Sequence, residues 1–96
     1  MTQYLLLIHG NATSVSTEEE WNSFFKISRE SGLFIGGSGI EDARIIIGDT
    51  FAKPSEHIVG YMRFDSEDKQ KILDLLQKHP IVVLGGSVEL CEMARE

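Results

Sequence analysis

Three residues of the segment HIVGYMRF carry side chains suited to chemistry: His57, Tyr61 and Arg63. At a strand's period of two they share one side with Val59, while Ile58, Gly60, Met62 and Phe64 share the other. An imidazole, with an unperturbed pKa of about 6.5, can exchange a proton near neutral pH. A guanidinium holds an anion, and a phenol gives or takes a hydrogen bond. On an otherwise apolar surface such a row suits a small anionic or phenolic ligand. The same groups also suit pairing with surplus acids across a subunit interface, and that is the simpler reading, because structural ion pairs gather the same residue types. Tyr61 is the first ligand candidate. His57, at the strand's start, is equally consistent with plain solvation.

Two more residues join the candidate set. His9 ends the first apolar run on the same side as Leu5 and Leu7, where it reaches either the same cavity or, more simply, a loop. Ser38 sits in GGSG, Gly36 to Gly39. A phosphate-loop reading of that stretch fails, because Asp42 stands where a third glycine belongs, no helix follows, and Glu41 and Asp42 repel phosphate. Glycines within strands mark bulges or close backbone approach instead, which leaves room for a pocket mouth beside Ser38. Arg44 is expected to pair with the carboxylates of Glu41 or Asp42. The three histidines show no ligand spacing, Cys91 is alone, and no Ser-His-Asp or Cys-His order is legible. Neither a metal nor a cofactor is expected.

These residues belong to a chain of 96, long enough for one domain spanning 1–96. Nine Lys and Arg against fifteen Asp and Glu leave a net charge of −6. That charge offers no footprint for nucleic acid or an anionic membrane. The longest apolar run, Tyr4 to Ile8, is far below the about 20 residues of a membrane span, and no signal-peptide pattern opens the chain, so a cytoplasmic location is expected. Cys91 is expected to act as a small buried hydrophobe.

The positioning elements follow from pattern. QYLLLIHG reads as a strand ended by Gly10. Ser16 and Glu19 stand in capping-box relation ahead of a helix that carries Trp21, Phe24, Phe25 and Ser28 on one side and stops at Gly32. LFIGGSG and ARIIIG read as two short strands about the turn Glu41-Asp42, and HIVGYMRF as a fourth. Asp65 and Ser66 are expected to cap a second helix bearing Ile72, Leu73, Leu75 and Leu76. His79 should lie in its last turn and Pro80 should end it. IVVLGGSVELCEM reads as a final strand broken by Gly85-Gly86. The order is β-α-β-β-α-β, an α+β ferredoxin-like fold. In the first strand Tyr4, Leu6 and Ile8 face one way and Leu5 and Leu7 the other. A strand apolar on both sides needs cover on both, and a second copy packed sheet to sheet supplies it.

The stretch DTFAKPSEHIVGY resembles the fingerprint of the DGPF, or YCII-related, family. Asp49, Phe51, Ala52, Glu56, Gly60 and Tyr61 keep the pattern, whereas Thr50 stands in for a Gly-Pro pair and Val59 for a glycine. HPIVVLGGSVEL is similar to the family's closing segment through His79-Pro80, Gly85-Gly86 and Val88-Glu89. With YLLLIHG and GLFIGGSGI the resemblance covers almost the whole chain. It implies a dimeric α+β barrel of ferredoxin-like subunits. Some YCII-type relatives carry a His and Asp pair suggested as catalytic, with the His on the first helix. Here residues 17–31 contain no histidine and Trp21 stands near that place, so catalysis does not transfer. The expected protein is a small homodimeric binding or assembly module with a pocket between sheet and helices. The alternative is a cofactor-free enzyme acting on a small aromatic or lactone-like substrate.

Overall fold

The computed structural model describes residues 1–48 and 52–94. Asp49, Thr50 and Phe51 of the family-like fingerprint lie outside them. Four strands and three helices follow in the order β1 (Thr2–His9), α1 (Glu18–Glu30), β2 (Phe34–Gly39), β3 (Ile58–Ser66), α2 (Lys69–Leu76), α3 (Pro80–Val83) and β4 (Val88–Glu92). The strands form one antiparallel sheet ordered β2-β3-β1-β4, as the ferredoxin-like arrangement requires. No helix among the described residues is long and apolar enough to cross a membrane.

Alternation sets the layers. In β1, Tyr4, Leu6 and Ile8 are buried, and in β3, Ile58, Met62 and Phe64 are buried with them. All but Ile58 form one core with Phe24 of α1, Ile72 and Leu76 of α2, and Ile81 of α3. The opposite side of the sheet carries no helix. Leu5 lies between Arg63 and Cys91 there, and Leu7 between Tyr61 and Glu89. All of these except the exposed Glu89 are half-buried. Cys91 is therefore a residue of the uncovered face and not of the core.

Several local expectations shift, each for a visible reason. The capping box of α1 is formed by Thr17 and Glu20, one residue later than predicted. Ser16 is engaged otherwise, its Oγ accepting a hydrogen bond from Trp21 Nε1 at 2.7 Å. Asp65 and Ser66 continue β3 opposite Gln3 and Thr2, so the cap of α2 falls to Asp68, which accepts from the Gln70 amide. Residues 43–47 form no strand. Arg44 ties this segment to backbone, donating to the carbonyls of Glu41 and Ser55 and, at 2.6 Å, of Ile58. The predicted pairing with the carboxylates of Glu41 or Asp42 is replaced by these three bonds. Ile45 and Ile47 are left 87% and 92% exposed.

IVVL is not the start of a strand either. Pro80 occupies the first position of α3, and His79 caps it through Nδ1, which accepts the Ile81 amide at 3.1 Å. His79 is fully buried, its ring edge-on to Trp21 at 5.0 Å and to Phe24 at 4.8 Å. An accepting Nδ1 puts the proton of the neutral ring on Nε2, which is shielded and finds no partner among the described residues. Burial pushes the His79 pKa down to about 4. The histidine expected in the last turn of α2 is thus a neutral core group that caps α3.

The unfolded chain binds a proton at this histidine below about 6.5, whereas the folded chain resists doing so until about pH 4. The stability it contributes is complete above the higher value and is lost as pH falls toward the lower one. We expect urea unfolding of the wild type to lose about 2–3 kcal/mol across this window beyond the loss in a His79→Asn variant. Asn keeps a capping oxygen and cannot titrate. Equal pH slopes in the two proteins would contradict the assignment.

Candidate functional site

The five candidate residues lie along the uncovered face of the sheet or at its end. Val59, Tyr61 and Arg63 keep the predicted row on the uncovered face. His57 precedes β3, is exposed, and uses its carbonyl to accept the Gly10 amide at 2.8 Å. Its ring lies 5.5 Å from that of His9. His9 donates its backbone amide to the carbonyl of Ser87 in the loop before β4 at 3.1 Å, while its ring Nε2 stands 3.1 Å from Glu89 Oε1 on β4. Ser38 pairs with Tyr61 and donates its hydroxyl to the Gly39 carbonyl at 2.8 Å. One end of the open face therefore gathers His57, His9 and Glu89, the middle holds Tyr61 and Ser38, and Arg63 lies a step further along.

Asp65, two residues beyond Arg63, shares this face by alternation. Its Oδ1 is shielded from solvent and unpaired among the described residues. Arg63 makes no ion pair among them either. A shielded carboxylate oxygen without a donor is costly and calls for a cation or donor from outside the subunit.

The helix side of the sheet holds a cleft of about 190 Å³ lined by Ile8, Trp21, Phe25, Gly37, Ser38, Gly39, Tyr61 and Met62. Its wall is the pair Trp21 and Phe25, one helical turn apart on α1, stacked with ring centroids 5.7 Å apart. Phe34 at the start of β2 backs Phe25 at 6.0 Å. The bond from Trp21 Nε1 to Ser16 and the edge contact with His79 hold the indole in place. Tyr61 and Ser38 also border it, although alternation along β3 and their pairing place both side chains on the uncovered face. A larger depression of about 440 Å³ runs between α1 and the α2–α3 junction, but it is shallower and includes Glu19, Glu20 and Lys78.

The floor of the smaller cleft is glycine backbone, and two of its glycines differ in what they require. A Cβ on Gly37 would stand 2.4 Å from the Tyr61 carbonyl oxygen and 2.9 Å from the Met62 Cα, so the β2–β3 pairing excludes a side chain there. A Cβ on Gly39 would meet only the Val59 carbonyl oxygen, at 3.9 Å, an ordinary distance. Sheet packing therefore does not explain the missing side chain at Gly39, and open cleft space does.

Sequence reasoning placed Tyr61 and Ser38 near a pocket but missed its wall. Trp21 and Phe25 read as helix packing, and helical spacing alone does not separate a core aromatic from a cleft aromatic. His79 was missed as a support because its place before Pro80 reads as the last turn of a helix rather than as the cap of the next. No family model matches the chain, and no curated protein matches it.

The glycine geometry sets an order of tolerance. Gly37→Ala should lower stability by about 1–3 kcal/mol through backbone displacement, whereas Gly39→Ala should stay within about 0.5 kcal/mol of the wild type. Urea midpoints measure both, and equal losses at the two positions would contradict this reading of the cleft floor.

Proposed function

We propose that the protein is a small-molecule-binding homodimer of the YCII-related kind, with its ligand held between α1 and the β2–β3 half of the sheet. The observation that carries this reading is the cleft itself. Stacked aromatic rings form one wall, and a glycine floor is left open where packing does not demand it. Such a slot suits a flat, largely apolar ligand. Its lining includes no carboxylate or imidazole among the described residues, which supports binding over proton transfer. The cofactor-free enzyme has less support, because His57 and Arg63 are not among the cleft's lining residues.

The dimer is the second half of the proposal. The uncovered face presents Leu5, Leu7, Val59 and Tyr61, an apolar centre that a second copy would bury. Charge on that face is self-complementary, since Arg63 and the shielded oxygen of Asp65, neither paired among the described residues, stand two residues apart on β3. Across a two-fold axis each would meet the other's counterpart, as isologous interfaces allow.

Trp21 is the single tryptophan, so intrinsic emission reports on the cleft without a label. Titration with a panel of one- and two-ring aromatic compounds should give a saturable change in emission. Gly39→Val, which raises a side chain from the floor, should abolish it while leaving the fold intact. A wild-type emission that no compound alters saturably, even at millimolar concentration, would overturn the proposed ligand site.

A further inference from the structure

The segment that was expected to be a strand, Arg44 to Ile47, carries two of the most exposed apolar side chains among the described residues. Ile45 is 87% and Ile47 92% exposed, while Ile46 between them is only 37% exposed. All three are exposed, and the lower value at Ile46 suits an extended chain whose alternate side chains point to opposite sides. The outward side is two isoleucines, and β-branched residues of this kind fit a half-buried pleated surface. The three bonds from Arg44 to the carbonyls of Glu41, Ser55 and Ile58 hold the base of the segment against the start of β3. It is thus an anchored arm. The radius of gyration, 14.3 Å, exceeds the about 12.5 Å of a compact chain of this length, as expected when a segment stands off the body.

The proposed sheet-to-sheet dimer needs more surface than the sheet provides. Four strands about 4.8 Å apart, with about seven residues each at roughly 3.3 Å per residue, present a face of about 19 by 23 Å, or about 440 Å². A stable interface buries about 800 Å² on each partner. Even with relief from side chains, the four-stranded face is small for the purpose. The arm supplies a second apolar surface on the same chain, fixed beside the strand whose outer row forms that face.

From this pairing of a short apolar face with an anchored apolar arm we infer that Ile45 and Ile47 of each copy clasp the second copy, packing against its open sheet face at the margin of the contact. The inference rests on the dimer proposed above and names the element that completes it. A two-fold arrangement uses both surfaces twice, each arm covering the partner while the partner's arm covers its own sheet. A net charge of −6 per copy disfavours association, so apolar burial has to carry it.

The test compares the wild type, Ile45→Ser/Ile47→Ser and Val15→Ser by sedimentation equilibrium over a range of concentrations. Serine is chosen because added acid would weaken any dimer of so acidic a chain. Val15 is 93% exposed in the loop before α1 and controls for loss of an apolar side chain elsewhere. All three positions are largely exposed in the single chain, so each subunit should fold as before, with unchanged far-ultraviolet circular dichroism. The wild type and Val15→Ser should be dimers of equal affinity, and the arm variant should dissociate at least about a hundredfold more readily, since four isoleucines leave the interface. A dimeric wild type with an equally tight arm variant would overturn the clasp and leave the sheet-to-sheet dimer standing. A monomeric wild type would overturn both.

Discussion

The central strand β1 is apolar on both sides, and the chain has helices for only one. Tyr4, Leu6 and Ile8 are sealed beneath α1, α2 and α3, while Leu5 and Leu7 are left on a bare face between Arg63, Tyr61, Cys91 and Glu89. β1 lies in the interior of the sheet, bonded to β3 and β4, so it cannot turn its second side away. Every other feature of the molecule answers to this asymmetry. The helix side becomes the core and carries a cleft at its β2 margin. The open side becomes a surface whose polar residues make sense as partners for a second subunit.

The helix layer is set by a buried histidine at the junction of α2 and α3. His79 caps α3 through Nδ1 and lies edge-on to Trp21 and Phe24, which links the last helix to the first. The same indole, with Phe25, forms the wall of the cleft. Stability and the candidate site are coupled here, because a shift of His79 would move Trp21. The neutral ring at physiological pH follows from burial, and it keeps a charge out of an apolar layer where it would be expensive.

Much of the fold was legible because strand alternation and helix spacing are local signals. β1, α1 and β3 follow their hydrophobic periods, Gly32 ends α1 at φ 74°, and the strand order follows from element order. The misreadings occur where a distant partner wins over local pattern. Ile45 to Ile47 have strand-like chemistry, but Arg44 is drawn to the carbonyls of Ser55 and Ile58. IVVL reads as β-branched strand, but proline and the His79 cap start a helical turn first. Of the candidate site, the row on β3 was legible by period two, and so was the neighbourhood of Ser38. The wall was not, because Trp21 and Phe25 have the spacing of core residues and only the empty space beside Gly39 sets them apart. The pairing of His9 with Glu89 joins residues at opposite ends of the chain and leaves no local trace.

The claim on which the rest depends is that a second copy covers the open face of the sheet. Native mass spectrometry of the protein as purified addresses it directly, since one subunit weighs 10.7 kDa and a dimer twice that. The account predicts a dimer as the dominant species at micromolar concentration. A monomer persisting under the same conditions would show that β1 tolerates a bare apolar side, and would remove the basis for the proposed assembly.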